Sequence, residues 1–131
     1  MPQEIKLGCR DLVNEAKQQI EDISVQDAQK LDGDHNVIVD IRDIRELKRD
    51  GKIPGAFHCP RGMLEFWIDP DSPYHKPIFQ QDKKFIFYCA SGWRSALATS
   101  VAVRMGLKPV ANLDGGFSAW KDAGGSIEHL K

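Results

Sequence analysis

The chain predicts an α/β fold built on a parallel sheet, and three observations carry that prediction. Short, mostly apolar runs recur at residues 37–41, 85–88 and 110–113. Each run is followed by a segment of helical character, and glycines close those segments at Gly51, Gly106 and Gly124. The runs do not alternate with polar residues, which marks strands covered on both faces. Strands that alternate with helices build parallel sheets, because a parallel crossover needs a helix-length connection.

Taken in order, residues 7–22 carry Leu7, Leu12, Val13, Ala16 and Ile20 among charged residues, a spacing that suits an amphipathic helix. This stretch precedes the alternating pattern and is expected to form an N-terminal helical arm over 1–22, with the main domain over 23–131. Ile23-Ser24 predicts a short edge strand. Ser24 followed by Asp27 resembles a capping box with Asp in place of Glu, so a helix with Val25, Ala28 and Leu31 inward should follow and end at Gly33. The β-branched run 37–41 reads as a central strand. A charged helix over 44–50 stops at Gly51. Ile53-Pro54-Gly55-Ala56 turns the chain into a short strand ending near Cys59, and residues 63–68 form a helical turn or two. Residues 69–81, with Pro70, Pro73 and Pro77, read as an irregular loop. After the 85–88 strand, a helix is expected over 95–105. Its small residues Ala96, Ala98, Ser100 and Ala102 would let it lie close to the sheet. The 110–113 strand is the last, and a helix from Gly116 through Trp120 follows.

With 131 residues, one domain with an ordinary core is expected. The 18 Lys and Arg nearly balance the 19 Asp and Glu, which removes the electrostatic case for nucleic acid or an acidic membrane surface. The three cysteines, Cys9, Cys59 and Cys89, have no CxxC spacing, which argues against a disulfide framework and against a zinc site. No apolar stretch is long enough to span a bilayer, and residues 1–6 lack an apolar signal core. A reducing, cytoplasmic setting is therefore expected.

Cys89 stands between a strand and a helix. A thiol there meets the unpaired N–H groups and positive dipole end of the helix, a setting that favours thiolate, the nucleophilic form of sulfur. In parallel sheets the working loops lie at the carboxyl ends of the strands. Asp40, Cys89 and Asp114 all fall at such ends and should share one face. N–H groups from Ala90 to Ser95 can converge on the sulfur, and Gly92 permits the tight curl. Ser95 is placed to cap the next helix or to donate to an anion. Arg94 offers a planar fork for a sulfonate or carboxylate, or pairs with a surface acid. Trp93 stands at the rim or packs against residues 63–68. Asp40 and Arg42 are either a structural ion pair or supports for the loop. Cys59 is a small apolar residue at a strand end or a resolving thiol. His58 forms no defensible Cys–His arrangement.

Four segments stand in order: Val39-Asp40-Ile41-Arg42, Gly51-Lys52-Ile53-Pro54-Gly55-Ala56-Phe57-His58, Cys89-Ala90-Ser91-Gly92-Trp93-Arg94-Ser95, and Leu113-Asp114-Gly115-Gly116-Phe117-Ser118-Ala119-Trp120. Together they resemble the signatures of the single-domain rhodanese family of sulfurtransferases. The resemblance implies a rhodanese-like three-layer α/β fold, a central mostly parallel five-stranded sheet with helices on both faces. It implies a thiosulfate sulfurtransferase-like activity in which Cys89 takes a sulfane sulfur from a donor such as thiosulfate. Cyanide or a thiol then accepts it. Cys89 would be catalytic, Ala90, Ser91, Gly92, Trp93, Arg94 and Ser95 substrate-binding, and Asp40 and Arg42 supporting. No metal and no cofactor are called for. Partners are expected to be small molecules, or a protein sulfur acceptor if the domain is a carrier. Four residues separate Cys89 from Arg94. The similar loops of cysteine-dependent phosphatases use five, so a phosphatase or arsenate reductase is a secondary reading.

Overall fold

Residues 2–131 are described by the computed structural model, and the predicted alternation of strands and helices is present as one five-stranded sheet. The strands are β1 (Glu21–Ile23), β2 (Asn36–Asp40), β3 (Phe57–His58), β4 (Lys84–Tyr88) and β5 (Val110–Leu113). They lie in the order β1-β5-β4-β2-β3, and every pairing is parallel. Six helices accompany them: α1 (Cys9–Lys17), α2 (Val25–Ala28), α3 (Ile44–Asp50), α4 (Leu64–Ile68), α5 (Trp93–Met105) and α6 (Gly116–Asp122).

Side chains alternate along each strand and divide the core into two layers. On one face Val37, Val39, Phe85 and Phe87 pack with Leu64, Phe79, Ala98 and Ala102, under α4 and α5. On the other Ile86, Tyr88 and Leu113 pack with Val25, Ala28, Phe117 and Trp120, under α2 and α6. Ala96, Ala98 and Ala102 are fully buried, so the small-residue side of α5 is the side against the sheet.

Three local features differ from the sequence expectation. The N-terminal helix stops at Lys17, and the backbone from Glu21 pairs with Ala111, Asn112 and Leu113 of β5. The edge strand thus begins within residues 1–22, and Val13 and Ala16 are buried where α1 packs against α5. A free sheet edge captured the chain before the helical periodicity ran out. α5 begins at Trp93 rather than Ser95, with Gly92 at the cap position in a left-handed conformation, φ +102°. Pro77–Gln80 forms a 3-10 turn inside the long loop. It buries Phe79 with its ring centroid 5.6 Å from that of Phe85.

The carboxyl ends of the strands are tied by one buried ion pair. Asp40 and Arg42 are 0% and 1% exposed. Arg42 donates from Nε to Asp40 Oδ1 at 3.0 Å and from Nη2 to Oδ2 at 2.7 Å, and Nη2 also donates to the Gly51 carbonyl at 2.7 Å. Its guanidinium lies 4.4 Å from the Phe117 ring centroid and 5.6 Å from that of Tyr88. Burial opposes the charge on Arg42. The bonds to Asp40 outweigh it and hold the guanidinium above its ordinary pKa. The pair has the burial and bidentate bonding of a structural ion pair, one of the two roles open for these residues from sequence. Replacing Arg42 with Met strands a bare carboxylate in the interior. It should cost about 3–5 kcal/mol in urea unfolding. Adding Asp40→Asn to that variant should recover part of the loss.

Candidate active site

Cys89 directly follows β4, between the ends of β2 and β5, and is 1% exposed. Asp40 ends β2 and Asp114 directly follows β5, so the three share the carboxyl edge of the sheet. Among the described residues, two backbone N–H groups reach the sulfur: Gly92 at 3.1 Å and Ser95 at 3.4 Å. Ser95 is the third residue of α5, so its N–H is one that a helix leaves unpaired. Sγ of Cys89 therefore does the capping for which the Ser95 side chain was a candidate. The Ser95 hydroxyl is itself buried and has no hydrogen-bond partner among the described residues.

The loop is shaped from its other side by α6. Phe117 N–H donates to the Cys89 carbonyl at 2.8 Å, and Ser118 N–H donates to the Ala90 carbonyl at 3.0 Å. Helix α6 takes the loop carbonyls and α5 presents its N–H groups to the sulfur. Gly116 makes this approach possible. A Cβ there would lie 2.5 Å from the Cys89 carbonyl oxygen and 2.8 Å from Ala90 C, and its φ is +61°. Nothing in the local sequence beyond the Gly115-Gly116 pair signals this contact.

Arg94 lies on α5, and its fork is occupied. Nη1 donates to Glu46 Oε2 at 2.9 Å and Nη2 to Oε1 at 3.0 Å. The Glu46 bond raises the Arg94 pKa, and the neighbouring Cys89 adds to that against burial. Glu46 in turn is held below its ordinary range, first by Arg94, with burial opposing. Sequence reading missed Glu46. It stands 48 positions from Arg94, and its one local signal is a capping box with Asp43 at the start of α3. Trp93 is half-exposed at the rim, and Arg10 of α1 stands 5.8 Å above its ring. In segment 63–68 Leu64 and Ile68 are buried, and the partly buried Trp67 packs 5.8 Å from Phe57. Ala90 is partly buried and Ser91 is exposed at the loop's outer side.

His58 hydrogen-bonds the Arg42 carbonyl at 2.7 Å. Cys59 is fully buried, and burial pushes its thiol up to about 12. A thiol that stays protonated is a poor resolving group. Among the described residues no group of His, Cys, Asp and Glu is arranged to hold a metal ion, and no helix is long and apolar enough to cross a membrane.

Residues 14–123 match the rhodanese-like domain. The chain belongs to that family. It is 33% identical over 106 residues to the rhodanese-like domain-containing protein 17 of Arabidopsis thaliana, covering 75% of this chain and 66% of the relative. It is 30% identical over 99 residues to a mitochondrial thiosulfate sulfurtransferase of Saccharomyces cerevisiae, covering 71% of this chain and 65% of the relative. The chain thus spans just under two thirds of the length of each. Among solved structures, a Rhodopseudomonas palustris protein of unknown function, described as a "Possible Tyrosine Phosphatase", superposes with a TM-score of 0.94. It is 62% identical, over 98% of this chain and 99% of that one. A thiosulfate sulfurtransferase of Pseudomonas aeruginosa superposes with a TM-score of 0.75 at 26% identity, over 94% of this chain and 23% of that one. The rhodanese-like α/β architecture expected from the motifs is the observed one, with a wholly parallel sheet.

Two outcomes follow from this rhodanese-like geometry. Gly116→Ala forces the loop away from α6 and should lower stability by at least about 2 kcal/mol in urea unfolding. It should also slow alkylation at Cys89. In the native protein at pH 8, iodoacetamide should label exposed Cys9 and leave Cys59 unlabelled, read by peptide mass spectrometry.

Proposed function

We propose that the protein is a sulfurtransferase that carries a sulfane sulfur on Cys89 as a persulfide. The observation that carries this reading is the Cys89 sulfur itself, faced by the Gly92 and Ser95 N–H groups at the carboxyl edge of the sheet. A negative sulfur accepts those donors well, which lowers the cost of holding it as thiolate or persulfide anion. With a donor such as thiosulfate, the Cys89 thiolate bonds the outer sulfur, the S–S bond of the donor breaks, and sulfite leaves with the electron pair. Cys89 then holds a persulfide anion. Cyanide or a thiolate attacks its outer sulfur, and the Cys89 thiolate is regenerated. This is ping-pong chemistry. It needs no general base once the thiol is ionised, and no cofactor.

The buried, unpartnered Ser95 hydroxyl supports a place for an added sulfur inside the loop, since it is a donor without an acceptor. Ala90, Ser91, Gly92, Trp93, Arg94 and Ser95 form the binding loop in this reading. Asp40 and Arg42 support it from beneath. A reducing compartment such as the cytoplasm suits the free thiol. The same steps serve a carrier that delivers sulfur to a protein acceptor. Against the phosphatase described for the Rhodopseudomonas neighbour stands the short loop, with four residues between Cys89 and Arg94.

Incubation with thiosulfate should add one sulfur to the peptide containing Cys89, measured by mass spectrometry under non-reducing conditions. Cys89→Ser should abolish that gain and reduce thiosulfate:cyanide turnover by at least about three orders of magnitude. Persulfide loading with little cyanide turnover would favour the carrier. Hydrolysis of aryl phosphates without a persulfide would refute sulfur transfer.

A further inference from the structure

Arg94 carries the charge that a bound anion would meet, and that charge is already cancelled. Glu46 contacts both of its terminal nitrogens, at 2.9 and 3.0 Å. This two-pronged geometry is the one in which a guanidinium holds a phosphate or sulfonate, so the Glu46 carboxylate fills the place of two ligand oxygens. Glu46 is also anchored. Its Oε2 accepts the Asp43 N–H at 3.0 Å in the capping box of α3, and its side chain is 19% exposed. Several other cations near this edge are engaged as well. Arg42 is bound to Asp40, Arg45 to Asp43, Lys17 lies 3.7 Å from Asp114, and Arg10 stands over Trp93.

We propose that Glu46 is a specificity-determining residue of the loop. It screens Arg94 so that the site loads from neutral or singly charged sulfane donors, organic persulfides in particular, faster than from dianions such as thiosulfate. The donor chemistry rests on the sulfur-transfer reading above; the charge screening does not. With an organic persulfide R–S–SH, the Cys89 thiolate bonds the outer sulfur, the S–S bond breaks, R–S⁻ leaves, and Cys89–S–SH remains. No dianion enters or leaves beside Glu46. With thiosulfate, donor and departing sulfite both carry two charges, so each is repelled.

Glu46→Gln tests this with little change of shape, because Gln also serves the third position of a capping box. Two measurements separate the charge screen from the sulfur chemistry. The first is alkylation of Cys89 by anionic iodoacetate and by neutral iodoacetamide, followed on the Cys89 peptide. The iodoacetate-to-iodoacetamide rate ratio should rise about tenfold in Glu46→Gln, the effect of one nearby unit charge on one ligand charge. Asp43→Asn removes a charge from the same helix start without touching Arg94, and should leave the ratio within about twofold. An unchanged ratio in Glu46→Gln overturns the proposal. The second is the rate of persulfide formation on Cys89. Thiosulfate should load Glu46→Gln at least about tenfold faster than wild type, and cysteine persulfide should load it less than about threefold faster. Equal gains with both donors overturn the specificity role. A raised alkylation ratio with no persulfide from either donor upholds the charge screen and overturns the sulfur donors assigned to it.

Discussion

The Asp40–Arg42 pair is the constraint on which the carboxyl edge of this sheet depends. Two charges taken from water are costly, and they persist where every donor and acceptor is used. Arg42 meets that demand by bonding Asp40 at the end of β2 and the Gly51 carbonyl after α3. Its guanidinium lies against the rings of Phe117 and Tyr88. Tyr88 is the residue before Cys89, and Phe117 is the residue whose N–H holds the Cys89 carbonyl. A single side chain thus touches both the strand that delivers the cysteine and the helix that clamps its loop, and the Tyr88 and Phe117 rings stack on each other at 6.1 Å. Tyr88 is locked from its other end, where its hydroxyl accepts the Ile53 N–H at 3.1 Å. Burial, with Asp40 adding to it, keeps that phenol protonated, so it contributes no competing charge.

Above that tie, the loop is built by dividing backbone polarity between two helices. The carbonyls of Cys89 and Ala90 turn outward to the first N–H groups of α6. The N–H groups of Gly92 and Ser95 turn inward to the sulfur. A buried sulfur with two donors and a clamped backbone is pre-organised for negative charge, since nothing need reorient when the charge appears. The positive φ at Gly92 and at Gly116 is required at the two points where the chain reverses between these directions.

The parts of this design that were legible in sequence are those written in short windows. The 37–41, 85–88 and 110–113 runs marked central strands because burial on both faces leaves no polar alternation. The place of Cys89 between strand and helix followed from the same local pattern. What was not legible needed three dimensions. The periodicity of residues 7–22 carries no sign that the backbone from Glu21 will pair with β5. Ser95 has the chemistry of a cap, yet the sulfur six residues earlier takes the N–H, and the hydroxyl is left inside the loop. Arg94 and Glu46 carry no local hint of one another, and a basic side chain after a cysteine reads as an anion site until its partner is seen.

That partner joins fold and site in a way neither residue does alone. Glu46 closes the start of α3 through Asp43 and fixes the guanidinium of Arg94 on α5. α3 ends at the Gly51 carbonyl that Arg42 holds. The same short helix is therefore gripped at its first turn by the loop and at its end by the buried pair. Any motion of Arg94 toward a ligand must break a bidentate ion pair to a carboxylate that the Asp43 N–H also holds. Separate, exposed contacts of these kinds are each worth on the order of 1 kcal/mol. Both contacts share one part-buried carboxylate, so the proposed sulfur transfer is served best by a ligand that leaves Arg94 where it is. A sulfur atom bonded to Cys89 and resting on backbone N–H groups meets that condition. A tetrahedral dianion that needs the guanidinium fork does not.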